Sequence, residues 1–203
     1  MVNPTERPKP IFVVGPHRSG TTWLANVLCR HSSVVGVQSE RHFGIHESAY
    51  FSHFAGRYGD IRKVNNFIQA VESFTASDYF LLTDLDKKII YQERPINYQE
   101  MFRVVMDEYG KRESAKFWVE KTPAHTLTLQ EITDFYPDAV FIGIKRDPVD
   151  TVRSALKRNQ IPSQLSKIYQ IFRKTLRYQM YVKHLEYFQD SNSQFFLVKY
   201  EDL

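Results

Sequence analysis

The sequence has 203 residues, a net charge of +4 and a single cysteine, Cys29, which excludes an internal disulfide. The length fits one domain with its own hydrophobic core. The mild positive charge suits an anionic ligand, but no lysine- and arginine-rich run predicts a nucleic-acid partner. No stretch is long and apolar enough for a membrane span, and residues 1–10 lack a signal-peptide core, so the sequence predicts a cytoplasmic protein.

Short apolar runs that alternate with helical patterns dominate the chain. The predicted strands are residues 11–14, 34–37, 117–119, 139–144 and 195–198. Helices are predicted to begin at Gly20, at Thr122-Pro123 and at Asp147-Pro148. Leu24, Val27 and Leu28 predict the buried face of the first helix, with Cys29 as a packed thiol. This alternation predicts an α/β fold, a parallel sheet flanked by helices, with ligands beyond the carboxyl ends of the strands.

The segment 42–113 interrupts the alternation and is predicted to form an inserted helical region rich in aromatic residues. Two sets of apolar residues recur in it at helical spacing: Ile61, Val64, Ile68 and Val71, and then Phe102, Val105, Met106 and Tyr109. We expect either a cover over the strand ends, where a substrate would bind, or ordinary core helices. Residues 163–188 predict one long amphipathic helix.

The segment Gly15-Pro16-His17-Arg18-Ser19-Gly20-Thr21-Thr22 joins the first strand to the first helix as a P-loop-like motif. Its glycines allow a tight turn in which backbone N–H groups point into one concavity, and the helix N-terminus adds partial positive charge. The hydroxyls of Ser19, Thr21 and Thr22 and the guanidinium of Arg18 add donors. The loop is therefore predicted to bind an anion.

The spacing resembles a Walker A loop, but Thr21 stands where the lysine of that motif belongs. The fourth strand ends in Lys145-Arg146, where a kinase or NTPase needs an acidic ligand for Mg²⁺. These two cations predict a second phosphate site instead, and no residue set has metal-ligand spacing, so no metal is expected. A Mg²⁺-dependent P-loop kinase or NTPase stays open as an alternative.

These motifs resemble the sulfotransferases that use 3′-phosphoadenosine 5′-phosphosulfate (PAPS). Residues 18–23, Arg-Ser-Gly-Thr-Thr-Trp, resemble the family's 5′-phosphosulfate loop, and Arg146 with Ser154 resembles its 3′-phosphate site. The resemblance implies PAPS as co-substrate, adenosine 3′,5′-bisphosphate as product, and binding of the nucleotide by Arg18, Ser19, Gly20, Thr21, Thr22, Trp23, Arg146 and Ser154. Trp23 would stack on the adenine. Because the family normally continues past a strand end like Tyr200-Glu201-Asp202-Leu203, the resemblance also implies one domain over residues 1–203 that lacks its C-terminal segment.

The resemblance also assigns candidate catalytic groups. Arg18 and Lys121 would stabilise charge on the leaving phosphate. Glu40, in a stretch that resembles the Glu-x-His-Phe element of the heparan sulfate sulfotransferases, is the preferred general base. His125 is its rival, because the small-molecule branch uses a histidine after the third strand. The expected acceptor-lining residues are His42, His46 and Glu47.

The acceptor is left open by the sequence: a sugar, a protein tyrosine, a phenol or a lipid would each supply a hydroxyl or amine. A non-catalytic module that binds PAPS or another bisphosphonucleotide is a further alternative.

Overall fold

The computed structural model describes residues 7–157 and 164–203. Five strands form a parallel sheet: β1 (Lys9–Val14), β2 (Val34–Gly36), β5 (Phe117–Lys121), β6 (Val140–Lys145) and β7 (Phe195–Lys199). Their order in the sheet is β2-β5-β1-β6-β7. A separate antiparallel pair consists of β3 (Gln38–Ser39) and β4 (Gly44–Ile45). The predicted strands and the α/β class are confirmed.

Helices connect the strands and cover both faces of the sheet. Within the described residues the α-helices are α1 (Thr21–Leu28), α2 (Val64–Thr75), α3 (Asp78–Leu81), α4 (Lys88–Glu93), α5 (Tyr98–Arg112), α6 (Leu129–Phe135), α7 (Pro148–Lys157) and α8 (Gln164–Ser191). The long predicted helix is α8, although its expected first residue, Ser163, lies outside the described residues. In this part of the chain no helix has the length and hydropathy to cross a bilayer.

Side chains of the central strands alternate between two cores, as the period of a strand requires. Phe12 on β1 packs edge-on against Trp118 and stacks on Phe141, with ring centroids 5.6 and 5.4 Å apart. The neighbouring residues Ile11 and Val13 face the opposite core, which includes Leu24 of α1. Both faces of β1 are therefore buried, which explains its continuous apolar run.

The helical segment after β4 packs one side of the core. The predicted buried face of α5, from Phe102 to Tyr109, is confirmed. The predicted helix is confirmed as α2. Of its apolar set, Ile61 and Val71 are buried, whereas Val64 and Ile68 are exposed. The buried Phe74 lies against Phe102 of α5. Whether this segment also covers a substrate stays a prediction.

Two details of the other helices also differ from the prediction. Val27 on α1 is exposed, because Leu24 and Ala25 face the sheet. Cys29 is only partly buried, and the burial that it has raises the pKa of its thiol to about 11.

The carboxyl ends of the parallel strands lie at one edge of the sheet. Val13 of β1 is in register with Lys121 of β5, and Val14 is in register with Gly143 of β6. The segments that follow these strands, which carry the predicted site residues, therefore meet at this edge.

Candidate functional site

The loop between β1 and α1 is anchored by hydrogen bonds at its first residue and near its middle. The Gly15 N–H donates to Thr126 Oγ1 at 2.9 Å. The buried Ser19 donates its hydroxyl to the Pro16 carbonyl oxygen at 2.7 Å. The Ser19 backbone N–H also donates to the Pro16 carbonyl oxygen, at 3.1 Å, so Ser19 shapes the loop. The N–H groups at the start of α1 are left to meet a ligand.

Two glycines in the loop are required by its geometry. Gly15 and Gly20 have φ angles of 151° and 101°, which favour glycine. A Cβ on Gly15 would lie 2.3 Å from the Ile144 carbonyl oxygen, and one on Gly20 would lie 2.5 Å from the Tyr200 ring. A side chain at either position would push the loop away from the strand ends.

The N-terminus of α1 is prepared for an anion. The helix begins at Thr21 after Gly20, with no side-chain cap and no acidic residue in its first turn. The first N–H groups of a helix lack intrahelical partners and carry partial positive charge. The loop and the helix end therefore have donors where the motif predicts an anion.

Arg18 links this loop to the second predicted phosphate site. It has a left-handed backbone, with φ of 73°, and its Nε donates to Ser154 Oγ on α7 at 3.1 Å. The structure thus brings together two predicted residues that are 136 positions apart in sequence.

Arg146 lies at the end of β6, with its guanidinium over the Tyr200 ring at 4.5 Å from the centroid. Within the described residues its Nε is buried and has no hydrogen-bond partner, and its Nη2 is 4.0 Å from Asp150 Oδ2. The Tyr200 ring also meets the edge of Trp23, whose side chain is 45% exposed. Tyr200, which the sequence analysis did not single out as a site residue, therefore positions Arg146 and Trp23 beside the loop.

Lys121, at the end of β5, is almost fully buried and donates to Glu47 Oε1 at 2.8 Å. The Glu47 carboxylate is 44% exposed, so it joins the buried ammonium to the open edge of the site. Glu47 was predicted only as a lining residue, and no motif at its position indicates this contact.

Glu40 occupies a different place. It lies on an exposed 3₁₀ turn between β3 and β4, and this hairpin is bound to α1 by Asn26, which accepts from the Ile45 N–H at 2.9 Å. The His46 N–H donates to the Val37 carbonyl oxygen at 2.8 Å, so the chain leaves the sheet edge after Val37 and returns only at His46. Because Glu40 lies within this excursion, the residue that reaches Lys121 is Glu47.

His125 is fully buried on the 3₁₀ helix that follows β5, and both of its ring nitrogens are engaged. Its Nδ1 is 2.7 Å from Glu120 Oε2, and its Nε2 accepts from the Phe51 N–H at 3.1 Å. The latter contact requires an unprotonated Nε2, so the ring proton lies on Nδ1 and is donated to Glu120.

Glu120 is the centre of this buried cluster. Its Oε1 accepts from the hydroxyls of Ser48 at 2.7 Å and Thr122 at 2.6 Å. Burial alone would raise its pKa, but the His125 ring and the two hydroxyls outweigh this and lower the pKa below its usual value. Thr122, which was predicted to cap a helix, instead makes this bond, and no side-chain cap forms there.

The remaining predicted lining residues have other roles or are not described. The His46 ring stacks on Tyr79, with centroids 6.1 Å apart. The side chain of His42 lies outside the described part of the structure. Over residues 7–157 and 164–203, no group of three or more histidine, cysteine or carboxylate side chains is placed to hold a metal ion.

Comparisons with known proteins identify the family and the fold. A sequence model described as the sulfotransferase family matches residues 10–203. The sequence has no match among curated proteins. Among solved structures, the chain is similar to the sulfotransferase domain of the Synechococcus PCC 7002 olefin synthase, with a TM-score of 0.62 and 14% identity over 98% of this chain and 68% of that one.

Two further solved structures are similar over 98% of this chain. One is the sulfotransferase domain from the curacin biosynthetic pathway, with a TM-score of 0.56, 16% identity and 69% of its length covered. The other is the sulfotransferase STF9 from Mycobacterium avium, with a TM-score of 0.55, 17% identity and 60% of its length covered. At these identities the likeness shows the fold alone.

Proposed function

The chain belongs to the sulfotransferase family, and from this premise we propose that it transfers a sulfuryl group from PAPS to a hydroxyl or amine of an acceptor. PAPS supplies the sulfuryl group and leaves as adenosine 3′,5′-bisphosphate. The site has to hold two separate phosphate positions, stabilise the leaving phosphate and remove one proton from the acceptor.

The observation that carries the proposal is the pair of cationic positions at the sheet edge. The loop and the N-terminus of α1 would bind the phosphosulfate, with Arg18 and the N–H groups of Thr21 and Thr22 as donors. Arg146, whose buried Nε has no partner within the described residues, would bind the 3′-phosphate together with Ser154. A buried guanidinium nitrogen without a partner is costly, and an anionic ligand would satisfy it.

Trp23 completes the proposed nucleotide site. Its indole is partly exposed and stands against Tyr200, which also stacks on the Arg146 guanidinium. An adenine ring stacked on this indole would be held next to the 3′-phosphate site. The role of Trp23 rests on this placement and on the family resemblance.

We assign the general base to Glu47 in place of Glu40. In the transfer, the acceptor oxygen or nitrogen forms a bond to sulfur as the sulfur–oxygen bond to the phosphate breaks, and the acceptor proton goes to Glu47. Lys121, 2.8 Å from Glu47, and Arg18 then neutralise the charge that develops on the leaving phosphate. Glu40 is exposed on the hairpin that Asn26 binds to α1, and within the described residues Lys121 pairs with Glu47 instead.

We assign His125 a structural role. Acting as a base would require its Nε2 to give up the Phe51 N–H, and its Nδ1 already carries the proton that it donates to Glu120. The ring therefore has no lone pair left for an acceptor proton.

The decisive experiment is a calorimetric titration with adenosine 3′,5′-bisphosphate and with ADP, each without divalent metal. The chain should bind the bisphosphate more tightly, and Arg146→Ala should remove most of that preference at a cost of about 1.5–3 kcal/mol. Arg153→Ala is the matched control, because this arginine is exposed on α7 and pairs with Asp150. Equal affinities for the two nucleotides in the unmodified chain would refute the proposal.

A non-catalytic bisphosphonucleotide-binding module would give the same titrations. PAPS-dependent release of adenosine 3′,5′-bisphosphate that requires an added acceptor separates the two functions. Among the described residues, the Lys121–Glu47 pair favours the enzyme, because binding of a nucleotide alone does not call for a carboxylate beside the leaving group.

A further inference from the structure

A cavity of about 340 Å³ opens between the phosphate loop, α7 and α8. The loop contributes His17 and Arg18, and α8 contributes three further cations, Arg173, Lys174 and Arg177. The volume falls at the lower end of the range for small-molecule sites.

The basic residues lie on the face of α8 that is buried further along the helix. Arg173, Arg177 and Tyr181 are spaced four residues apart, so they share one face, and Leu185 continues it. Tyr181 and Leu185 are buried in the core, whereas the two arginines line the cavity. The inward face of α8 thus changes from apolar to cationic where it reaches the site.

In the part of the chain that the structure describes, these cations form no ion pair with a carboxylate. The lining of the cavity contains no aspartate or glutamate, and within residues 7–157 and 164–203 no ion pair involves Arg173, Lys174 or Arg177. Burial, together with repulsion from Arg173 and Arg177, lowers the pKa of Lys174. A cluster of like charges that faces a cavity is stabilised when an anion binds there.

Arg18, which is assigned to catalysis, lines the cavity beside His17. His17 lines it, and burial lowers the pKa of this histidine while Glu47 opposes the shift and Arg177, Lys121 and Lys174 add to it. His17 therefore lies within electrostatic range of both the α8 cations and the Lys121–Glu47 pair. Its ring also contacts Tyr181, with centroids 5.9 Å apart.

We propose that this cavity holds the acceptor, and that the acceptor is a small molecule bearing a phosphate, sulfate or carboxylate group. Arg173, Lys174 and Arg177 bind that group and thereby direct the reacting hydroxyl or amine toward Glu47. This inference rests on the proposed function, since it assigns an acceptor site to the same enzyme. The nucleotide shares Arg18 with this cavity, but its other proposed contacts include Arg146 and Trp23, which do not line it, so the α8 cations are left for the acceptor.

The test uses two matched pairs of probes in the presence of saturating adenosine 3′,5′-bisphosphate. The pairs are 4-hydroxybenzoate with 4-hydroxybenzamide, and N-acetylglucosamine 6-phosphate with N-acetylglucosamine, so that carboxylate and phosphate are examined separately. In at least one pair the anionic member should bind about tenfold tighter by calorimetry, and added salt should reduce the difference. The variant Arg173→Gln/Arg177→Gln should abolish the preference. Lys183→Gln should retain it, because Lys183 is exposed on α8 outside the cavity.

Each other outcome overturns the inference. It fails if neither anionic probe binds more tightly than its neutral partner, if the double variant keeps the preference, or if Lys183→Gln loses it equally. A loss of bisphosphate affinity in the double variant as large as that in Arg146→Ala would place the cavity in the nucleotide site instead. Thermal unfolding shows whether the double variant is folded. If it is not, the single variant Arg177→Gln is compared with the unmodified chain instead. Failure to prefer bisphosphate over ADP contradicts the proposed function separately, because that titration contains no acceptor probe.

Discussion

The buried Glu120 cluster permits the sharpest stability prediction. Glu120 is fully buried, and its two oxygens accept from Ser48, Thr122 and His125 at 2.6–2.7 Å. Glu120→Gln keeps the shape but replaces one oxygen with an NH₂ group. If the amide oxygen faces the two hydroxyls, the NH₂ meets the His125 Nδ1–H. In the reverse orientation the NH₂ meets both hydroxyls, which already accept from the N–H groups of Tyr50 and Ala49.

The magnitude follows from these contacts. The variant loses at least one hydrogen bond to a charged group, worth about 1.5–3 kcal/mol, and leaves a buried donor unsatisfied at about 1–3 kcal/mol. We therefore expect a loss of about 3–5 kcal/mol in the free energy of unfolding, the usual result of breaking a buried pair. With a urea slope of about 2 kcal/mol/M the midpoint should fall by about 2 M.

Urea unfolding followed by circular dichroism measures this loss. Glu131→Gln is the control, because Glu131 is exposed on α6 and should change stability by less than about 0.5 kcal/mol. The pKa of Glu120 is lower in the folded chain than in the unfolded chain. Its contribution to the free energy of unfolding is therefore fully present above the unfolded pKa of about 4.3, and it is lost as the pH falls through the folded pKa. The difference in the free energy of unfolding between the unmodified chain and Glu120→Gln should therefore become smaller as the pH is lowered. A loss below about 1 kcal/mol at neutral pH would refute the structural role of the cluster.

The catalytic groups and the loop allow three more tests. Glu47→Gln should lower PAPS-dependent transfer by about 10²–10⁴-fold with little change in bisphosphate binding, while Glu40→Gln should leave transfer near normal; the reverse order in initial rates would restore Glu40 as the base. EDTA should change neither calorimetric bisphosphate binding nor transfer, and a requirement for Mg²⁺ in transfer would favour a P-loop kinase or NTPase. Gly20→Ala should weaken bisphosphate binding by about tenfold or more, because its Cβ would strike the Tyr200 ring in a strained backbone region; unchanged affinity would show that the loop adapts.

Features that depend on neighbouring residues were predictable from the sequence. The three central strands β5, β1 and β6 were located because both faces of a central strand are buried, which requires a continuous apolar run. The edge strands β2 and β7 are less buried, but their short runs are apolar as well. The loop was recognisable because a strand end, glycines and a helix start coincide within a few residues. The cationic end of β6 was read from the local sequence, whereas Ser154 was implied by the family resemblance; the structure places Ser154 against Arg18.

Features that depend on how the chain returns to the sheet edge were not predictable. Glu40 has the motif-like neighbours, yet it lies on the exposed turn of the hairpin that the His46–Val37 hydrogen bond closes, while Glu47 contacts Lys121. No local pattern reports such a closure, because it is decided by a hydrogen bond between residues nine positions apart and by the packing of the hairpin on Asn26.

By itself the sequence determined the α/β class, the glycine-bearing loop between β1 and α1 and the cationic end of β6, since each is encoded in short runs of residues. Only the tertiary structure decided which side chains meet. His125 is removed from the candidates for the base because residues 5 and 74 positions away, Glu120 and Phe51, engage both ring nitrogens. The cations of α8 are a second example. Helical spacing alone shows that Arg173 and Arg177 share a face of the helix. Only the packing of α8 shows that this face lines a cavity beside the loop.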